Sequence, residues 1–359
     1  MVGAEGTVPA EYRRSPYLLV EWSGSDLVVE QCDSGRRFRA GADLLDLLSQ
    51  LAAWTPAGRL TGSDVKWTVG HLEELSGLGL VDRRPGARPG PEESSEGDAG
   101  PRRAGGPSWW APVELAVQRR GGLGGFDPDA VRGRGPPPPG FKTTPPGRVV
   151  PLPEAVTVDA ALSEVLAARR TIRTYAEAPL DLGRLSSLLF HAARVVGAVA
   201  DPVAGTLVRR PFAAGGARNE LEIYLVANDV DGLERGAWYY DGRAHHLVAL
   251  DVGEEGGRRV NQEVYQAAGS ALSRDAPAVL LITAVFGRVM WKYERIALSV
   301  IYKDVGCLLQ NLYLVATALG LAPCAIGGGR ESANASWLGL DPLVESQVGC
   351  FVVGARAAP

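Results

Sequence analysis

From Leu298 onward the apolar residues fall at Leu298, Ile301, Val305, Leu308, Leu312, Val315 and Leu319. Steps of three and four place them on one stripe of a long α-helix, and Gly320 supplies its stop. At about 1.5 Å per residue the helix is roughly 30 Å long, enough to cross a small domain. Lys303, Asp304, Gln310 and Asn311 interrupt it, so the pattern is not that of a membrane span. A different rhythm precedes it. Residues 278–286, AVLLITAVF, form an almost continuous apolar run that suits a central strand buried on both faces. Residues 221–227 alternate and read as a strand, with 236–240 as its hairpin neighbour, 246–250 as a third strand and 349–354 as the last. Helical patterns occupy 159–168, with Asp159 as N-cap, 182–195 and 258–273. Together these predict an α+β domain, a mainly antiparallel sheet with long helices packed on it, over residues 149–359.

Upstream, residues 17–83 read as a small separate β/α domain, the folded part of an N-terminal unit 1–83. YLLVEW, DLVVEQC and RRFRA are three short antiparallel strands separated by Ser23-Gly24-Ser25 and Asp33-Ser34-Gly35. Helices at 42–53 and 65–77 and a short strand at 80–82 complete it. Between the two units, residues 84–148 are rich in Pro and Gly, and this composition predicts a mobile linker, stiffened by polyproline near Pro136 to Pro139. Trp109 and Trp110 are out of keeping with a bare tether, so this patch is expected to dock on a folded surface.

Hydrophobic residues at 46% and charged ones at 22% place the chain among globular proteins, and a net charge of -4 gives no reason to invoke nucleic acid or an anionic membrane. The first fifteen residues lack the apolar core of a signal peptide, so a cytoplasmic location is expected. Cys32, Cys307, Cys324 and Cys350 are too dispersed for a metal site or a disulfide framework. His71, His191, His245 and His246 form no ligand spacing either, so no metal is implied.

Three short segments carry candidate chemistry. Arg169-Arg170-Thr171-Ile172-Arg173 gathers three guanidiniums and a hydroxyl, a set that can clamp a phosphate and donate to a polar ring edge, or simply form a solvated basic cluster. Ala213-Ala214-Gly215-Gly216-Ala217 has no bulk. Cys324 to Arg330, CAIGGGR, is nearly as bare, and such backbone can approach a flat ring or a phosphate, though an ordinary turn has the same composition. Neither GxGxxG nor GxxxxGK[ST] stands where a dinucleotide or P-loop site needs it.

The order RRTIRTY, PL, LSSLL, a small-residue loop before ELEIYLV, then VDGLERGAWYYD, then KY and GCLLQNLYLVATALGLAPCAIGG resembles the FMN-dependent nitroreductase superfamily. Within it, the pattern is most similar to the SagB-type, or ThcOx-like, peptide dehydrogenases, over residues 149–354. That resemblance implies a homodimer with FMN at the subunit interface. It also implies oxidation of thiazoline or oxazoline rings, made by a YcaO-type cyclodehydratase in a ribosomal precursor peptide, to thiazoles or oxazoles, as in thiopeptide-like antibiotic pathways. By position it assigns Arg169, Arg170, Thr171 and Arg173 to FMN, Ala214 and Gly215 to the flavin loop, and Gly327 and Gly328 to donors near flavin N5. Arg330 and Arg356 are candidates for the phosphate.

Lys292 and Tyr293 match the pair that these dehydrogenases use for proton chemistry. Removing two hydrogens from an azoline needs a base for the α proton and a hydride acceptor for the β carbon. Reference pKa values near 10.4 and 10 mean that one of the pair must be depressed to act as base near neutrality, and burial beside the arginines would do this for Lys292. Three departures from the family pattern stand out. The usual PSxGA loop lacks its Ser here, Asp304, Gly306 and Cys307 replace an EaGH segment, and Thr171 replaces a Ser. An NAD(P)H-dependent nitroreductase and an inactive flavin-fold scaffold that binds a leader peptide are the alternative readings. The small N-terminal unit resembles PqqD-like, winged-helix peptide-recognition modules.

Overall fold

Strands Leu221–Ala227 and Ala278–Val285 lie side by side at the middle of a seven-stranded sheet. The computed structural model describes residues 10–60, 67–86, 110–123, 135–328 and 331–358. Across the sheet the order is Leu321–Ile326, Glu345–Ala355, Ala278–Val285, Leu221–Ala227, Gly236–Asp241, His246–Ala249 and Val149–Pro151, every neighbouring pair antiparallel. Helices cover both faces, the α+β arrangement expected from the pattern of apolar positions.

Alternate residues of the central strands feed two cores. Leu221, Ile223, Leu225, Leu280 and Ile282 join Ile301, Val305, Leu308 and Leu312 of the long helix Ala297–Ala318. Tyr224, Val226, Val279 and Leu281 point the other way, onto Val260 and Val264 of helix Glu254–Ala267. A strand covered on both faces cannot alternate polar with apolar, hence the nearly unbroken apolar run. Thr283 is its exception, and its hydroxyl donates to Glu345 Oε1 at 2.7 Å. Ile301 and Leu308 are fully buried, so cutting either to Ala would cost about 2–5 kcal/mol. The long helix stops where Gly320 takes φ +67°.

Several boundaries differ from the sequence reading. Asp159 is not a cap: the helix is Leu162–Ala168, and Ala161 stands at its N-terminus with no side-chain bond. Helix Leu182–Ala193 is capped instead by Asp181, which accepts the Arg184 N–H at 2.8 Å. The segment read as a bare turn from Cys324 begins inside an edge strand, Leu321–Ile326, and edge position is what lets Pro323 stand in a ladder. A hairpin, Gly197–Asp201 with Gly205–Arg209, was not anticipated.

Residues 135–148 are not a mobile linker. Pro138 O and Pro139 O accept from the buried guanidiniums of Arg218 at 3.4 Å and Arg288 at 2.9 Å, and Gly135 O accepts the Trp291 indole N–H at 3.1 Å. Lys142 donates to the Tyr224 hydroxyl at 2.7 Å and pairs with Glu345. An extended proline run leaves its carbonyls unused, and buried arginines need acceptors.

The chain divides into units 1–123 and 124–359. In the first, Leu18–Ser23, Asp26–Gln31 and Arg36–Arg39 form the expected meander. Glu11–Arg14, which the sequence reading passed over, pairs with Val81–Arg84 and Thr55–Pro56. Helices Ala42–Gln50 and Val69–Leu78 bring Leu47 and Leu72 onto Tyr12 and Val29. Helix Pro112–Leu123 also belongs to this unit, tied by Arg119, which donates to Asp33 O at 2.7 Å and Ser34 O at 2.8 Å. Trp110 is 50% exposed, so the arginine and not this tryptophan is the anchor. Trp109 lies outside the described residues. No described helix is long and apolar enough to cross a membrane.

Candidate functional site

The small-residue loop lies against the N-terminal half of the long helix. Gly216 sits at φ +59°, and a Cβ there would stand 2.5 Å from Lys292 Nζ and 2.8 Å from Tyr293 Oη. A Cβ on Gly215 would meet Val300 Cγ1 at 2.2 Å. The loop is bare because a helix and the Lys-Tyr pair press on it from two sides. Gly215 N–H donates to Asp304 Oδ2 at 2.7 Å, which fixes the loop to the helix. Ala217 and Asn219 also hold positive φ, a run of left-handed residues that surrounding contacts must enforce.

Lys292 and Tyr293 follow the short helix Phe286–Met290, and both of their N–H groups donate to Val289 O, at 3.0 and 2.9 Å. Lys292 Nζ lies 5.5 Å from the centroid of the Tyr293 ring. Asp201 is held below the usual carboxylate range by the N–H groups of Ala204 and Val203, with a smaller contribution from the charge of Lys292. Burial, and then the carboxyl of Asp304, push the Tyr293 phenol up. The phenol therefore keeps its proton at neutrality.

The arginine segment lies at the other end of the same helix. Thr171 Oγ1 and Tyr313 Oη are 2.9 Å apart, and Tyr313 Oη also accepts the Ala325 N–H at 2.8 Å. The Arg169 guanidinium lies 5.3 Å from the Tyr313 ring centroid. Ile172 N–H donates to Pro323 O at 2.9 Å and Tyr175 bridges to Arg356, so residues 171–176 run along strand Leu321–Ile326 to the end of strand Glu345–Ala355. Arg170, Arg173 and Arg356 are exposed. Burial pushes the Cys324 thiol up, with the nearby Arg173 opposing. A Cβ on Gly327 would meet nothing within 4 Å, and one on Gly328 only Ala267 Cβ at 3.6 Å. Guanidiniums beside open, bare backbone leave room for an anion and a flat ring.

The family model described as the nitroreductase family matches residues 166–355, more than half of the 359-residue chain. The chain belongs to the nitroreductase family. Among its relatives, the candidate nitroreductase MJ1384 of Methanocaldococcus jannaschii is 33% identical over 169 residues, 46% of this chain and 78% of that protein. The trifolitoxin-processing protein TfxB of Rhizobium leguminosarum bv. trifolii is 33% identical over 180 residues, 48% of this chain and 47% of TfxB. A crystal structure of a candidate nitroreductase from Anabaena variabilis aligns with TM-score 0.49 and 24% identity, over 66% of this chain and 45% of that one.

In this nitroreductase-family domain the assigned residues fall into two groups. Arg169 and Thr171 meet Tyr313 and Arg173 lies near Cys324, with Arg170 between them in the chain, while Gly327 and Gly328 follow one end of strand Leu321–Ile326 and Arg356, bridged to Tyr175, adjoins its other end. Ala214 and Gly215 gather with Lys292 and Tyr293 near Asp304. Tyr313 stands nine positions after Asp304 on the helix, roughly 13 Å along the axis. Within one chain the charge of Lys292 acts on Asp201. Arg330 lies outside the described residues. Sequence reading named Gly216 only as part of the small-residue loop and did not single out Glu220 or Tyr313. An acid at Asp304, inside an apolar stripe, was the visible signal for one of the unrecognised groups.

Proposed function

We propose that this nitroreductase-family chain is an FMN-dependent dehydrogenase that oxidises thiazoline or oxazoline rings of a ribosomally made peptide to thiazoles or oxazoles. The observation that carries the reading is the Lys-Tyr pair held against the bare Gly215–Gly216 backbone, an acid–base pair with no bulk between it and a flat ligand. The relatedness to TfxB, a trifolitoxin-processing protein by name, supports a role in processing a product made by other proteins.

The residues present fit FMN. Arg169, braced on Tyr313, with Arg170, Arg173 and Arg356, offers charge for a phosphate, and Thr171 and the open Gly327–Gly328 backbone offer room and donors for the ring. Bound FMN supplies the two-electron acceptor for the hydride that leaves the β carbon of the azoline. Lys292 takes the α proton, and Tyr293, protonated, donates a hydrogen bond that orients the ring. Aromatisation drives the step. The separation of the two residue groups along one helix favours a homodimer in which each FMN is held between subunits. A YcaO-type cyclodehydratase is the partner that makes the azolines. The N-terminal unit, whose edge strand Leu18–Ser23 exposes Val20 by 47% and Trp22 by 72%, is the surface proposed to take the precursor peptide.

The relatedness to MJ1384 favours a second reading, an NAD(P)H-dependent nitroreductase. One experiment separates the two. The purified full chain is heated, released flavin is identified, and NADPH is added to an unheated portion without oxygen. Stoichiometric FMN that NADPH leaves oxidised supports the dehydrogenase; rapid bleaching supports the second reading. A colourless protein that FMN cannot reconstitute contradicts both and leaves a scaffold role.

A further inference from the structure

Behind the Gly215–Gly216 loop lies a pair of acids that the proposed chemistry does not use. Asp304 is 6% exposed, one of the buried positions on the long helix, and accepts the Gly215 N–H. Glu220 is fully buried and enters from the residue just before strand Leu221–Ala227. Apart from its own backbone N–H, no group among the described residues donates to either Glu220 oxygen, and the group it faces is Asp304.

Nearby cations do not settle this charge. Arg288 acts on Glu220 through space, but its Nη1 is committed to Glu222 Oε1 at 2.7 Å and Asn219 O at 3.0 Å, and its Nε to Pro139 O. Arg218 donates to Arg288 O at 2.9 Å and Ala204 O at 2.6 Å. Lys292 lies over Gly216, and Tyr293, protonated, faces Asp304. Two buried carboxyls in contact, without donors enough for both, cannot both be ionised; a proton between them resolves the conflict.

We propose that Glu220 and Asp304 share one proton, Glu220 donating it to Asp304, and that this pair pins the Gly215 N–H and so positions the loop beneath Lys292 and Tyr293. Loss of the proton places two charges in contact and releases the loop. That the loop serves a bound flavin rests on the reading above. Burial, with Asp304 adding to it, pushes Glu220 up to about 8, and burial pushes Asp304 up as well, so the shared proton is present at neutrality.

The test begins with flavin-free full chain carrying 15N-glycine, in which the Gly215 amide signal is followed from about pH 6 to about pH 10. One transition near the Glu220 value is expected. Glu220→Gln keeps a donor toward Asp304 but cannot ionise, and should abolish the transition. Asp304→Asn keeps an acceptor for Gly215 and should lower the midpoint, because a neutral partner lets Glu220 ionise sooner. A flat Gly215 signal in the unsubstituted protein, or the same transition in Glu220→Gln, overturns the proposal. FMN affinity, read by fluorescence quenching over the same range, should weaken about tenfold across the transition and stay level in Glu220→Gln. Titration of Gly215 without any change in affinity overturns the positioning role. Failure to bind FMN at any pH contradicts the functional reading alone, because the Gly215 signal still decides the pair.

Discussion

A Cβ on Gly216 would stand 2.5 Å from the Nζ of Lys292. The proposed base and the loop it works beside are thus one packed unit, built from segments 76 positions apart (292 minus 216). Catalysis by positioned acid–base groups depends on such placement, because a displacement of an ångström can cost orders of magnitude in rate.

Gly216→Ala tests that unit. An alanine at φ +59° costs about 1–2 kcal/mol in the left-handed region, and its methyl displaces the flexible end of Lys292 and the Tyr293 hydroxyl. The variant should fold, melt a few degrees lower, and lose on the order of a hundredfold in kcat with bound flavin retained. Differential scanning calorimetry and steady-state kinetics check the two parts.

Lys292→Ala should leave the FMN content unchanged and lower azole formation by about 10²–10⁴. Tyr293→Phe should cost less, because the phenol orients and does not accept the proton. Full activity in Lys292→Ala with bound FMN would remove Lys292 as base.

Tyr313→Phe removes the hydroxyl that joins Thr171 to the Ala325 N–H. Each orphaned group costs about 1–3 kcal/mol. We expect a lower melting temperature and about a tenfold loss of FMN affinity, with kcat on saturated enzyme nearly unchanged. Calorimetry and flavin fluorescence measure both.

Glu220 should also set a pH dependence of stability. Its folded pKa, about 8, lies above the ordinary carboxyl value of 4.5, so in this window the folded chain holds a proton that the unfolded chain has lost. Its contribution is full below the unfolded value, falls as pH rises through the window, and levels off above about 8. Denaturant unfolding at several pH values should show this slope, and Glu220→Gln should be flatter by one proton.

The periodic segments were legible in the sequence because burial imposes the period: the stripe from Leu298 to Leu319 and the run at 278–286 each announce an element. Residues 135–148 were misread because composition shows prolines but not Arg218 and Arg288, whose guanidiniums claim their carbonyls from far along the chain. Strand Leu321–Ile326 was hidden by Pro323, which only an edge position allows. Candidate groups carried by local motifs, the arginine cluster and Lys292-Tyr293, could be named from sequence. Their partners could not: Tyr313 reads as one more aromatic in a helical stripe, and Glu220 meets Asp304 only after the strand and the long helix pack.

The central claim is tested most directly by supplying the FMN-loaded full chain, in air, with a peptide carrying a single thiazoline or oxazoline and measuring the peptide mass. The account expects loss of two hydrogens from the ring, dependent on FMN and slowed by about a hundredfold or more in Lys292→Ala. A flavin-bearing protein that leaves the peptide mass unchanged, while NADPH reduces its flavin, would contradict it.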